Sequence, residues 1–407
     1  MPVPGMGEVL FAAKPEDVRE FLTIPVSVFA PPMPNPVEPV VGRRSIILLD
    51  GQPHKRERAR FLPALHGERI RRYTTLMARA AEREVGAWQP GDIIDARDAA
   101  QSITLQIIVR AVFGIDDHDL CSEYVRVVKD MMRNYIAPFM FFPALCWAPF
   151  GLGPWQRFSR QRVTLDAMLA EQIARRRSTG TDGYDDVLSI LLSESDGARD
   201  DAEVLQQLRT LLVSGHETSA TTLAWALFHI HIDDAVRSTL QAELAENTAL
   251  NNLPKLPYLA AVIAETLRLH PTVSIVVRQL KQRQHAWGVD QSAGDVIGVA
   301  LPALHADPQV WPDPHRFDPQ RFLTRRPGPT EYSPFGCGHR RCPGSAFAAQ
   351  ELAIALGVIL TSVELASVDR TSPRSIPRGV AAVPGKPIRL RVVRRLNSAI
   401  DRQESIP

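Results

Sequence analysis

A mainly α-helical fold with a minor β portion is what this sequence predicts. Helical hydrophobic periods follow one another almost without a break from Pro53 to Glu246, and only after Pro257 do short strands, prolines and aromatics take over. The chain has 407 residues, 45% hydrophobic and 23% charged, which is enough apolar material for one large core. No internal repeat, flexible linker or low-complexity stretch divides it, so a single domain over residues 1–407 is expected.

In chain order, the first strand is expected over Glu8 to Ala12 and the first helix opens at Pro15, where a missing N–H costs nothing. Ala30 to Pro39 carries five prolines and reads as irregular loop. Helices are then predicted over Pro53–Leu65, Gly67–Val85, Ala99–Phe113, Cys121–Tyr135, Trp155–Arg177, Asp185–Leu192, Asp201–His231, Ala235–Glu246 and Leu259–Leu269. Strands follow over Ser274–Leu280, Trp287–Val289, Val296–Leu301 and Ile388–Val393, with one more helix at Ser345–Thr361.

Lys plus Arg number 47 and Asp plus Glu 45, so a net charge of +2 gives no reason to expect nucleic acid as a partner. Four cysteines (Cys121, Cys146, Cys337 and Cys342) are too few for a disulfide scaffold, which points to a reducing, cytoplasmic setting. No uninterrupted apolar run reaches the ~18 residues of a membrane span; residues 136–152 come nearest, and three prolines and a glycine interrupt them.

The sharpest segment runs from Ser333 to Gly344, Ser-Pro-Phe-Gly-Cys-Gly-His-Arg-Arg-Cys-Pro-Gly, just before the Ser345 helix. Its glycines let the backbone pass close to something flat or bulky. Cys342 sits at a helix N-terminus, where the dipole favours thiolate over thiol. Zinc at Cys337, His339 and Cys342 is a poor alternative, because a structural zinc site needs four ligands and the chain has no second cysteine pair. The string Phe-x-x-Gly-x-Arg-x-Cys-x-Gly, from Phe335 through Gly338 and Arg340 to Cys342 and Gly344, resembles the haem-ligand signature of the cytochrome P-450 superfamily.

Further marks of that family occur in its chain order. Glu265-Thr266-Leu267-Arg268 resembles its Glu-x-x-Arg pair, two residues that share a helix face. With Arg321 of Phe317-Asp318-Pro319-Gln320-Arg321-Phe322, the resemblance implies a buried structural triad of Glu265, Arg268 and Arg321, with fork geometry that lysine cannot supply. Ser214-Gly215-His216-Glu217-Thr218-Ser219, in the middle of the longest helix, resembles the oxygen-binding motif. Gly215 lies one turn before Thr218, so a side-chain-free notch beside a hydroxyl is expected there; carried over from the family, Thr218 would hydrogen-bond bound oxygen and Glu217 would link it to solvent. His216 is expected to be packed rather than catalytic.

His54 and Arg58, four apart on one helical face, resemble the family's early His-x-x-x-Arg, and Arg278 and Arg340 match further positions that meet the haem propionates. Phe335, Gly336 and Gly344 complete the implied cofactor contacts around Cys342. Residues 54–72 hold seven Lys or Arg and two Glu, a local charge of +5 on the face where an acidic electron donor docks in the family. No dinucleotide or Walker-type loop is present, so electrons are expected from NAD(P)H only indirectly, through a ferredoxin and its reductase or a similar donor.

The resemblance thus implies a P-450 fold around a buried haem b, in a protein expected to be monomeric and to hydroxylate or epoxidise a substrate of secondary metabolism. The segments that line the family's pocket are apolar here: Leu211, Ser214, Gly215, Val273, Ile275 and Val276 are the pocket candidates, and Phe139 to Phe142 crowd the implied entrance. A lipophilic substrate such as a terpenoid, fatty acid or polyketide follows, because an ionic ligand would be left unpaired. A haem sensor or gas carrier without turnover is the rival reading, against which the acid and threonine of the long helix argue; a peroxide-driven peroxygenase is a third. The family ordinarily has a helix and a strand before the equivalent of Glu8–Ala12, so the first sheet is expected to be short of a strand or the start placed late.

Overall fold

Helices follow the apolar periods because each buries one stripe against its neighbours. The computed structural model describes residues 1–3, 5–135, 139, 146, 152–193, 200–247, 249–379 and 381–396. In chain order the helices are α1 (Pro15–Thr23), α2 (Glu38–Val41), α3 (Gly51–Leu65), α4 (Glu68–Arg72), α5 (Thr74–Gly86), α6 (Ala96–Phe113), α7 (His118–Asn134) and α8 (Pro154–Thr179). They continue as α9 (Val187–Leu192), α10 (Asp201–Ile232), α11 (Asp234–Ala245), α12 (Pro257–Leu269), α13 (Leu301–Leu304), α14 (Gln320–Thr324) and α15 (Ser345–Ser362). The strands are β1 (Pro2–Val3), β2 (Gly7–Ala12), β3 (Phe29–Ala30), β4 (Ile93–Asp95), β5 (Ile275–Leu280) and β6 (Gln284–Ala286). After them come β7 (Val289–Gln291), β8 (Val296–Ala300), β9 (Val363–Ser367), β10 (Ser375–Arg378), β11 (Ala381–Pro384) and β12 (Arg389–Arg395).

Aspartate caps set several helix starts, and α6, α7 and α11 begin one to three residues before their apolar periods for that reason. Asp95, Asp117, Asp186, Asp200 and Asp233 each accept a backbone N–H from the first turn of α6, α7, α9, α10 and α11. Two expectations change. The stretch 67–85 is two helices parted at Tyr73, whose N–H bonds the Ile70 carbonyl in a tight turn and whose hydroxyl donates to the Asp185 carbonyl at 3.0 Å. Of Trp287–Val289 only Val289 is strand, the first residue of β7; Trp287 and Gly288 form the bend of the β6–β7 hairpin, at positive φ of 52° and 73°. Within the proline-rich stretch, Pro39 sits in the first turn of α2, where its ring is tolerated.

The main core is helical, with α10 at its centre packed on α6, α8, α12 and α15. A second, smaller core lies under the five-stranded sheet ordered β1-β2-β8-β5-β3 and includes Ala12, Phe21, Ile297, Val299 and Cys337. A two-residue strand, β1, does precede Gly7–Ala12 and pairs with it antiparallel. Helix α15 is long and apolar enough to cross a membrane by length and composition, contrary to the expectation that no such run exists. Its serines, glutamine and glutamate dilute the run without making it polar, and Phe347 and 352–356 are buried in the core.

Candidate active site

The loop before α15 is built by hydrogen bonds from its own backbone. Cys342 N–H donates to the Phe335 carbonyl at 2.9 Å, closing the turn that carries the half-buried thiol. Gly336 and Gly338 take φ of 72° and 68°, which favours glycine at both, and a side chain on Gly338 would also press on Leu22. From outside, Arg58 Nη1 donates to the Arg341 carbonyl at 2.6 Å and His66 Nε2 to the Pro343 carbonyl at 2.9 Å, so α3 and the turn after it brace the loop. Gly344 opens α15, and half-buried Phe335 packs against the main core.

The thiol differs from expectation. Burial pushes the Cys342 pKa up, and the opposing pull of the Gly344 N–H, Arg58 and Arg341 does not overcome it. Burial and the helix end thus act on this thiol in opposite directions.

Beside this loop lies a surplus of positive charge. Arg278 on β5 is buried, donates only to its neighbour's carbonyl, Val277 O at 2.7 Å, and has its pKa pushed down to about 10 by burial and by Arg340. Arg340 donates to the Ile47 and Leu49 carbonyls and stands 4.0 Å from Asp50, which Lys281 also engages. The His54 ring meets His339 edge-on at 6.0 Å, and burial together with Arg340 and Arg278 holds both imidazoles down near pKa 4. The structure thus brings His54, Arg58, Arg278 and Arg340 together, and Arg278 has no carboxylate partner among the described residues.

Opposite stands α10. From Gln207 to His231 every residue is buried except Val213, Ser214, Gly215, Glu217 and Thr218, so the helix opens only in its middle. Thr218 Oγ1 donates to the Ser214 carbonyl at 3.0 Å, and Thr222 Oγ1 to the Thr218 carbonyl at 3.0 Å. Two sequence expectations change here. The space beside Gly215 is not a notch, because a Cβ there would lie 2.8 Å from Ile108 Cδ1; the glycine admits α6 instead. Glu217 turns toward α6 as well, where Arg97 and Gln101 (Nε2 to Oε2, 2.7 Å) hold its carboxylate. His216 is buried, its Nδ1 2.7 Å from the Leu212 carbonyl.

Glu265, Arg268 and Arg321 also meet. Arg268 forks onto Glu265 at 2.7 and 2.8 Å, and Arg321 Nε lies 3.4 Å from Glu265 Oε1. Arg268 further donates to the carbonyls of His305, Pro314 and Arg316. His305 Nε2 accepts the Ser333 N–H at 3.0 Å, joining this cluster to the start of the cysteine loop.

The order of these parts along the chain is matched as a whole: the cytochrome P450 family model covers residues 3–392. The chain belongs to the cytochrome P450 family. Curated relatives agree, among them putative cytochrome P450 137 of Mycobacterium tuberculosis, 30% identical over 96% of this chain and 82% of its own length. Putative cytochrome P450 135B1 of Mycobacterium bovis is 30% identical over 96% and 83%. The retinoic acid bound cyanobacterial CYP120A1 shares the fold at a TM-score of 0.83 and 22% identity, covering 95% of this chain and 89% of that one.

This P450 is therefore a monooxygenase whose cofactor is haem b and whose electrons come from NAD(P)H through partner proteins. Its residues fit that group: buried Arg278 with half-buried Arg58 and Arg340 suits two propionates, and the Cys342 sulfur beside them is the donor type that a haem iron takes. Of the pocket candidates, Leu211 is buried, Ile275, Val276 and Gly215 are half-buried, and Ser214 and Val273 are exposed. Met140, Phe141 and Phe142 lie outside the described residues. Sequence reasoning missed Arg97, Gln101 and His305; none sits in a motif, and only the tertiary contact reveals each.

Proposed function

We propose that this P450, a single catalytic domain, hydroxylates or epoxidises a lipophilic small molecule of the terpenoid, fatty-acid or polyketide kind. The observation that carries the reading is the lining across from the exposed middle of α10. Thr272 to Val277 present hydroxyls and aliphatic side chains but no charge, and Thr272 is tied to α10 through Thr222 at 3.2 Å. A buried ionic substrate would find no charged partner between Thr272 and Val277, and Arg278, the next residue, is assigned to the propionates in this reading. The CYP120A1 structure, with retinoic acid bound, supports a lipophilic occupant for the fold.

In this reading Cys342 is the iron ligand, while His54, Arg58, Arg278 and Arg340 hold the propionates. When bound, the haem supplies the activation of dioxygen. Thr218 orients a hydrogen bond into the space beside α10, and Glu217 supports proton movement after release from Arg97. Glu265, Arg268 and Arg321 are structural: they hold the chain on either side of the cysteine loop.

A ferredoxin-like acidic donor fits the face that carries exposed Lys55, Arg56, Arg71 and Arg72, since Arg58 and His66 connect that face directly to the cysteine loop. We take the working unit to be a monomer. Titration of the holoenzyme with a panel of terpenoids, fatty acids and polar ionic compounds, read as the Soret shift on binding, tests the substrate class. Shifts with the lipophilic members are expected; shifts confined to the polar ionic ones would overturn it.

A further inference from the structure

A cavity of about 440 Å³ lies between α2, α8 and the first half of α10, and none of its lining residues belongs to the haem site. Four arginines line it against two acids, Glu38 and Asp166. Arg43 Nε donates to Glu38 at 2.6 Å, and Arg44 Nη1 to Asp200 at 2.6 Å and Glu203 at 3.2 Å. Both of these arginines are exposed, where solvent screens such pairs. The other two lie deeper. Arg209 is 5% exposed and donates through Nη1 to Asp166. Half-buried Arg162 has no carboxylate among the described residues and donates to the Pro39 carbonyl at 3.1 Å.

The Nε–H groups of Arg162 and Arg209 are both buried without an acceptor. A charged donor in that position is completed in folded proteins by water or by a ligand. Burial, with the charge of Arg162 added, holds the Arg209 pKa below its ordinary value, although Asp166 pulls the other way. Two deep guanidinium groups thus share one carboxylate. Gly42 lets α2 end against them: its φ is 86°, and a Cβ there would collide with Gln206 Oε1 and lie 2.9 Å from Arg209 Nη2.

We propose that Arg162 and Arg209 anchor the carboxylate of an amphiphilic acid whose apolar part runs along α10 to the open middle of that helix. This narrows the lipophilic substrates proposed above to lipophilic acids, and it rests on that reading. A monocarboxylate matches one unpaired cation better than a phosphate dianion does, and its two oxygens suit guanidinium N–H groups. Arg209 and Val213 lie one turn apart on one face of α10, so the anchor adjoins the stretch 213–218 where the helix opens. From Arg209 to Thr218 is about 13.5 Å of helix axis, a span that a long acyl chain or an extended terpenoid covers and a short acid does not. The uncharged lining at 272–277 then meets the apolar end of the molecule.

The test titrates the holoenzyme at neutral pH with hexadecanoic acid and abietic acid, each beside its methyl ester, and with neutral terpenoids, read as the Soret shift. The acids should bind about 10- to 100-fold more tightly than their esters, the worth of a hydrogen bond to a charged group. Arg162→Gln should erase most of that preference. Asp166→Asn, which takes the competing carboxylate away from Arg209, should widen it, whereas a variant that merely loosened the fold would weaken acid and ester alike. Equal binding of acid and ester by the parent protein, a preference left intact by Arg162→Gln, or one narrowed by Asp166→Asn would each overturn the anchor. So would shifts with neutral terpenoids and with neither acid, which would leave the lipophilic reading standing. No shift with any acid, ester or terpenoid would mean that the lipophilic reading itself had failed.

Discussion

Arg268 and Glu265 share two hydrogen bonds, Nε to Oε2 at 2.7 Å and Nη2 to Oε1 at 2.8 Å, with neither side chain exposed to solvent. Only a planar fork can make both contacts and still donate its remaining nitrogen to the His305 and Pro314 carbonyls. Arg268→Lys keeps the charge but leaves Glu265 and two carbonyls short of donors. A loss of about 1–3 kcal/mol in unfolding free energy is expected for each buried acceptor left without its donor. Because His305 carries the strain onward to Ser333, haem content should fall with it. Denaturation in urea, with haem absorbance followed alongside, checks both.

Replacement of Cys342 separates ligand from scaffold. The loop is closed by backbone bonds and braced by Arg58 and His66, none of which needs the sulfur atom. Cys342→Ala should therefore fold with its helix content unchanged, yet lose the red-shifted Soret band of the reduced carbon monoxide complex. A variant that kept that band would remove Cys342 from the iron.

Much of this architecture was legible in the sequence because it follows local rules. The apolar periods of α6, α7, α10 and α12 mark those helices, and the string from Phe335 to Gly344 marks the cysteine loop. What could not be read is where a side chain turns once its helix has a neighbour. Glu217 and Gly215 both look, from the α10 sequence alone, as though they serve Thr218; the packing of α6 claims both. Strands β4 and β9 are three and five residues long and pair with the distant β12, and β10 and β11 form a local hairpin of only four residues each, so no local period announces them. The Cys342 thiol shows the same limit: helix-end position is visible in a sequence, but the burial that outweighs it is not.

The close approach at Gly215 gives a sharp steric prediction. A methyl there would stand 2.8 Å from Ile108 Cδ1 and 3.2 Å from Cγ1, closer than carbon atoms tolerate. Gly215→Ala should lower stability by about 1–3 kcal/mol despite the better helix propensity of alanine. Adding Ile108→Val removes the Cδ1 atom and should restore part of the loss. If Gly215→Ala were instead stable but blocked ligand binding at the haem, the notch reading would return.

Acid should weaken the fold through its buried imidazoles. Burial holds His229 and His305 down to about 3 and His231 to about 4, against a normal value of 6.5. His229 and His270 face each other Nε2 to Nε2 at 2.8 Å, a contact that needs one ring to donate and the other to accept, so at most one can be charged, and burial disfavours the charged form of both. The unfolded chain takes up protons at these positions near pH 6.5 while the folded chain does not, so unfolding binds protons and acid favours it. The contribution is complete above about pH 6.5 and is lost as pH falls toward the folded values. Each histidine removes about 1.4 kcal/mol per pH unit once below that point. Urea midpoints should therefore drop between pH 7.5 and 5.5, and His231→Gln, whose side chain stays neutral throughout, should flatten the slope by about one proton's worth. A midpoint that held constant over this range would mean that these imidazoles gain their protons in the folded protein as easily as in the unfolded one.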